Sequence, residues 1–227
     1  MSLLFMIIVA AGLPFLTALS YKNIKKMEEE LEGAEIARIP VYLQSMAMQI
    51  ILAVIAFFAA RSEKISIVFA SSFSVKTISA AALLVIVALG LAWASQKFSK
   101  EKDESTLHHI LPNTNTERLL WVTAVVIAAF CEEYIYRGVL FGIIAEMAKD
   151  YTSYVWIVAT LLSAVVFAFG HGTQGEKAIL QIIPFAVGFQ FLVWLSGGLL
   201  LPMIAHFIYN ILVETLFGDK IKENAER

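Results

Sequence analysis

LLWVTAVVIAAFCEEYIYRGVLFGIIAEM, from Leu119 to Met147, is apolar enough and long enough to cross a bilayer, yet it holds Glu132, Glu133 and Arg137 within six positions. On an insertion scale each ionised group near a helix centre costs about 2.5–3.5 kcal/mol, so three facing lipid would cost on the order of 8–10 kcal/mol. They must therefore face protein or a water-filled cavity, and the stretch reads as one helix of a larger bundle rather than a lone anchor.

Outward from it the chain repeats the apolar theme. Of its 227 residues 59% are hydrophobic and 16% charged, and the mean hydropathy is +0.76. A soluble domain carries roughly 25% charged residues, so that class is excluded. Charge-free runs at Leu3 to Leu19, Val41 to Ala60 and Thr77 to Ser95 precede the central stretch, and runs at Ser153 to Gly170, Ala178 to Leu195 and Gly197 to Phe217 follow it. The expectation is an all-α polytopic membrane helical bundle of about seven transmembrane helices, the last two divided by a tight turn at Ser196, Gly197 and Gly198. A net charge of -2 leaves no footprint for nucleic acid, and a single cysteine excludes an internal disulfide.

The first run has no preceding positive charge, and Lys22, Lys25 and Lys26 follow it directly, so it reads as a retained anchor rather than a signal peptide. Alternating sides from there places Lys22, Lys25, Lys26, Arg38, Lys97, Lys100, Lys102, Arg118, Lys177, Lys220, Lys222 and Arg227 in the cytoplasm, against Arg61, Lys64, Lys76, Arg137 and Lys149 opposite. For seven spans that excess predicts a multi-pass membrane protein, in the cell membrane if prokaryotic, with its amino terminus outside and its carboxyl terminus cytoplasmic.

Smaller features are mostly structural. Ile24, Met27 and Leu31 recur at helical spacing before Pro40 and suggest an interfacial amphipathic helix. The hydrophilic stretch Gln96 to Arg118 ends in Thr114-x-x-Glu117, a capping box for the fourth span; His108 and His109 within it point about 100° apart on a helix and make a poor metal pair. Cys131 reads as a small packing residue, Gln181 and Gln190 as interhelical hydrogen bonds, Glu146 and Glu214 as residues reaching the interface, and Trp121, Trp156 and Trp194 as an interfacial belt.

Two further polar sites answer the central acidic one. Glu133 and Arg137 are four apart, the favoured order for an ion pair, while Glu132 has no partner nearby in sequence. Phe167-Ala168-Phe169-Gly170-His171 puts an imidazole at the end of the fifth span, and His206 and Asn210 share one face of the seventh. A buried network that only fixes helix packing and a hydrolytic site are both open on these residues.

Glu132-Glu133-x-x-x-Arg137, Phe167-x-x-x-His171 and His206-x-x-x-Asn210, in that order on successive helices, resemble the CPBP family of type II CAAX prenyl endopeptidases and bacteriocin-processing or Abi proteins. The resemblance covers about Leu119 to Phe217. It divides the chain into residues 1–117, with the first helices, the amphipathic segment and the hydrophilic loop, and a CPBP-like catalytic membrane core at 118–227. It implies an intramembrane endopeptidase cutting a membrane peptide or lipidated protein substrate, such as a prenylated CAAX tail or a bacteriocin-like peptide. Glu132 with His171 would activate water, His206 with Asn210 would stabilise the oxyanion, and Glu133 with Arg137 would support the Glu132 segment.

Family members are often labelled metalloproteases, and Glu132, His171 and His206 would make a His₂Glu zinc set; H-E-x-x-H is lacking, and a metal-free water activated by Glu and His is the reading preferred. Two other functions compete: an immunity or scaffold protein binding a peptide partner without catalysis, and a proton-linked transporter, against which stands the concentration of polar groups in the second half.

Overall fold

Apolar runs free of charge fold as helices because a helix satisfies every backbone donor and acceptor within itself, the one solution besides a closed barrel that hydrocarbon tolerates. The computed structural model describes residues 2–30, 37–98, 110–174 and 176–225, and among them there is no strand. The order is α1 (Ser2–Ile7), a π-helical turn (Ile8–Gly12), α2 (Leu13–Glu30), α3 (Arg38–Ser62), α4 (Val75–Phe98), α5 (Asn115–Glu132), a π-helical segment (Glu133–Leu140), α6 (Phe141–Ala148), α7 (Val155–Phe169), a 3-10 turn (Gly172–Gln174), α8 (Glu176–Ser196) and α9 (Leu200–Ala225).

Six of the continuous rods so formed are long and apolar enough to cross a membrane, and α7 is a shorter apolar helix, so the bundle of about seven helices expected from the sequence is present. The chain is an integral, multi-pass membrane protein. Pro40 lies in the first turn of α3, where its missing N–H has no helical partner to lose. The widened turn at Ile8–Gly12 stands just before Pro14, which cannot donate to the carbonyl four residues back.

The amphipathic segment is helical as far as it is described: α2 runs unbroken from the first span to Glu30, since no Gly or Pro interrupts Phe15 to Glu30. Leu31, His108 and His109 lie outside the described residues. The capping box at the fourth span is formed: Glu117 N–H donates to Thr114 Oγ1 at 3.2 Å, and the Glu117 carboxylate accepts from Thr114 N–H at 3.1 Å. Gly197 takes φ +78° in the turn between α8 and α9, a conformation that favours glycine.

Packing centres on the rod Asn115–Ala148. Helix α3 lies along α5, with Ala56, Ala59 and Ala60 letting its backbone approach the buried Ile135, Val139 and Leu140. On the other side α6 packs on α7, α7 on α8, and α9 on α4 and α5. The segment 65–74, between α3 and α4, has no helix of its own and ties the halves together. Val68 O and Phe69 O accept from Leu199 and Leu200 N–H at 3.0 Å, and Ser71 Oγ accepts from Leu201 N–H at 3.0 Å. These contacts occupy amides that the start of α9 leaves without intrahelical partners. Gly198 is required there, since a Cβ would stand 2.2 Å from Ala70 O.

Candidate active site

The site begins where α5 gives way to the π-helical segment. A π turn is wider than an α turn and leaves backbone groups out of register; Ser163 Oγ on α7 fills one gap by donating to Tyr136 O at 2.7 Å. The segment presents Glu133 and Arg137 inward, both buried, while Glu132, the last residue of α5, stays slightly open to the exterior.

Glu133 is fully buried and bridges two elements. Its Oε1 accepts from His206 Nδ1 on α9 at 2.9 Å, and its Oε2 lies 3.4 Å from Arg137 Nε. The ion pair expected from the four-residue spacing is therefore present, joined by a partner 73 residues away in sequence. The guanidinium of Arg137 lies over the Phe167 ring at 4.0 Å, a cation–π contact in a desolvated place; its Nη1 and Nη2 are buried without a hydrogen-bond partner among the described residues. Phe167 also packs edge-on to Tyr136 and stands 4.5 Å from the His171 ring, so this one aromatic sets the separation between the arginine and the first histidine.

His171 follows the end of α7, and its Nδ1 is 2.9 Å from Phe167 O. A carbonyl only accepts, so Nδ1 carries the proton there and Nε2 faces away from its own helix. Likewise Nδ1–H of His206 is directed to the Glu133 carboxylate, leaving its Nε2 for the interior. Both Nε2 atoms lie 3.9 Å from Glu132 Oε2. That gap is too long for a direct hydrogen bond and of the size that a bridging water spans. Three groups able to accept protons thus face one another across a small space, each oriented by a contact on its far side.

The far-side contact of Glu132 comes from an unexpected quarter: Gln49 Nε2, in α3, donates to Glu132 Oε1 at 2.8 Å. The structure brings Glu132, Glu133, Arg137, His171 and His206 into one connected set. Asn210 lies one turn beyond His206 on α9, half-buried and outside that set of direct contacts. Gln190, read as an interhelical hydrogen-bonding residue, has its Oε1 buried with no donor among the described residues, and the adjacent Phe189 packs on the His206 ring. Cys131 packs against the core as anticipated, Glu146 pairs with Lys149, and Glu214 lies 3.7 Å from Arg118.

The zinc alternative is testable on the same distances. Ligand atoms at about 2.0–2.2 Å around a tetrahedral zinc lie roughly 3.3–3.5 Å from one another, closer than the 3.9 Å from Glu132 to either histidine. Among the described residues no three His, Cys, Asp or Glu side chains form a group able to hold a metal ion. The Glu132, His171 and His206 set does not fit zinc in this arrangement.

Residues 114–212, from the capping box to the middle of α9, match the family model described as type II CAAX prenyl endopeptidase Rce1-like. No curated protein and no solved structure gives a match. The matched segment contains all three polar motifs, and Gln49 and the 65–74 segment lie outside it. Over residues 114–212, somewhat under half of its length, this membrane protein is thus similar to the Rce1-like type II CAAX prenyl endopeptidases, a protease family.

Proposed function

We propose that the protein hydrolyses a peptide bond in a membrane-associated substrate, a prenylated CAAX-type tail or a comparable membrane peptide, with water activated by Glu132 and His171. The observation that supports this reading best is the convergence of Glu132 Oε2 with Nε2 of both histidines at 3.9 Å. A water held between them loses a proton to Glu132 as its oxygen attacks the scissile carbonyl carbon. The oxyanion so formed accepts hydrogen bonds from Asn210 and from His206, the latter when Nε2 carries a proton while Glu133 holds Nδ1–H. Collapse breaks the C–N bond, and the proton on Glu132 passes to the leaving amine. Arg137 offsets the charge of Glu133 and thereby supports the group that orients His206. The amino terminus is proposed to lie outside and the carboxyl terminus in the cytoplasm.

The test is cleavage of a farnesylated CAAX peptide by the purified protein in nanodiscs. Glu132→Gln should reduce kcat by about 10² to 10⁴, the usual worth of a general base. Asn210→Ala should reduce kcat by about 10² to 10³ with little change in KM, since an oxyanion donor acts on charge that appears in the transition state. Undiminished cleavage by Glu132→Gln would sink the mechanism.

A further inference from the structure

We infer that Gln49 is a positioning residue for Glu132, so that the amino-terminal half supplies part of the machinery of the proposed hydrolytic site, on which reading this inference rests. Gln49 stands near the middle of α3, among Met46, Met48, Ile50 and Ile51. An amide at such depth is costly unless paired, and its Nε2 donates to Glu132 Oε1 at 2.8 Å.

That one contact decides which way the carboxylate faces. With Oε1 held, rotation of the carboxylate plane is restrained, and Oε2 is left toward Nε2 of His171 and of His206, 3.9 Å from each. An amide suits this task because it donates at every pH and brings no charge. A lysine in its place would form a full ion pair and compete with the proton that Oε2 has to accept. The donor is carried on a rigid element: Ala56 and Ala59 of the same helix are fully buried against the core that contains Ile135 and Val139 of the π-helical segment. The base and its donor therefore keep a fixed separation although they come from helices 83 positions apart in sequence.

Gln49→Met keeps the length and volume of the side chain and removes the donor; Gln49→Asn keeps the amide and withdraws it by one methylene. Assayed with the farnesylated CAAX peptide in nanodiscs, both should lower kcat about 10- to 100-fold, with KM within about twofold of wild type. The melting temperature should move by less than about 2 °C, whereas loss of mere packing would lower it and leave kcat of the folded fraction alone. A readout without substrate is the Glu132 carboxylate band, isolated as the infrared difference between wild type and Glu132→Gln; it should shift in either Gln49 variant. Wild-type kcat in Gln49→Asn, or an unmoved carboxylate band, would overturn the positioning role while leaving a hydrolase that depends on Glu132 intact. Failure of wild type to cleave the peptide would instead count against the proposed substrate class, and the infrared band would still decide whether Gln49 holds Glu132.

Discussion

The helices before residue 98 and those after residue 115 are built of similar apolar material but place their polar side chains differently. In α3 and α4 the charged residues sit at the ends, Arg38, Arg61, Lys76 and Lys97, whereas the rod Asn115–Ala148 buries Glu132, Glu133 and Arg137 in its interior. In the proposed hydrolase the second half carries the chemistry, and the first half holds it in place. Gln49 restrains the carboxylate of Glu132, and the 65–74 segment supplies acceptors to the first amides of α9, the helix that carries His206. A site made of opposed charges in a low-dielectric interior needs such external restraint, because each group is costly if its partner moves away.

The largest expected effect comes from removing a charge in the second half. Arg137→Ala leaves the buried Glu133 carboxylate without its cation, beside an empty volume under Phe167, and breaking one member of a buried pair commonly costs about 3–5 kcal/mol. Thermal unfolding in detergent should show this loss together with loss of peptide cleavage. A fully stable but inactive Arg137→Ala protein would break the comparison, since Arg137 would then act on substrate rather than on the internal balance of charge.

Much of the second half is legible in the sequence because its signals are local. Charges in an apolar run must turn inward, Glu133 and Arg137 are one turn apart, Thr114 and Glu117 cap each other, and Gly197 marks the turn before α9. The contribution of the first half is not local. A glutamine in a charge-free span can pair with any neighbouring helix, so nothing around Gln49 points to Glu132. The π-helical segment is equally hidden: Glu133 to Leu140 has the periodicity of an ordinary helix, and the hydroxyl that Ser163 donates to Tyr136 O comes from α7, remote in sequence. The Glu133 to His206 bond escaped for a related reason, since the four-residue rule identifies Arg137 and is silent about a partner on another helix. Continuation of α2 to Glu30 shows that amphipathic spacing does not by itself break a helix from the span before it.

An intermediate effect is expected where the two halves touch through backbone alone. Gly198→Ala would place a Cβ 2.2 Å from Ala70 O and 2.7 Å from its carbonyl carbon, atoms that cannot swing aside as a flexible side chain would. The 65–74 segment would have to withdraw, stretching the bonds from Leu199 and Leu200 N–H. Overpacking of this kind typically costs about 1–3 kcal/mol. The expected result is a lower melting temperature, with cleavage reduced because the start of α9 shifts relative to the π-helical segment. Wild-type stability in Gly198→Ala would mean that the segment is a loose cover rather than a restraint.

The smallest effect tests the same contact one bond at a time. Ser71 Oγ is the side-chain acceptor for Leu201 N–H at 3.0 Å and so resembles a helix cap supplied from another part of the chain. Removing a capping hydroxyl usually costs about 0.5–2 kcal/mol, and Ser71→Ala should fall at the low end because Ser71 is only half-buried, allowing water to reach the freed amide. Val68 O and Phe69 O would continue to hold the two preceding amides, so His206 should keep its place and kcat should stay within about twofold of wild type while the melting temperature falls slightly. A large loss of kcat in Ser71→Ala without loss of stability would mean that the first half acts on the site through α9 as well as through Gln49, making the restraint of His206 as sensitive as that of Glu132.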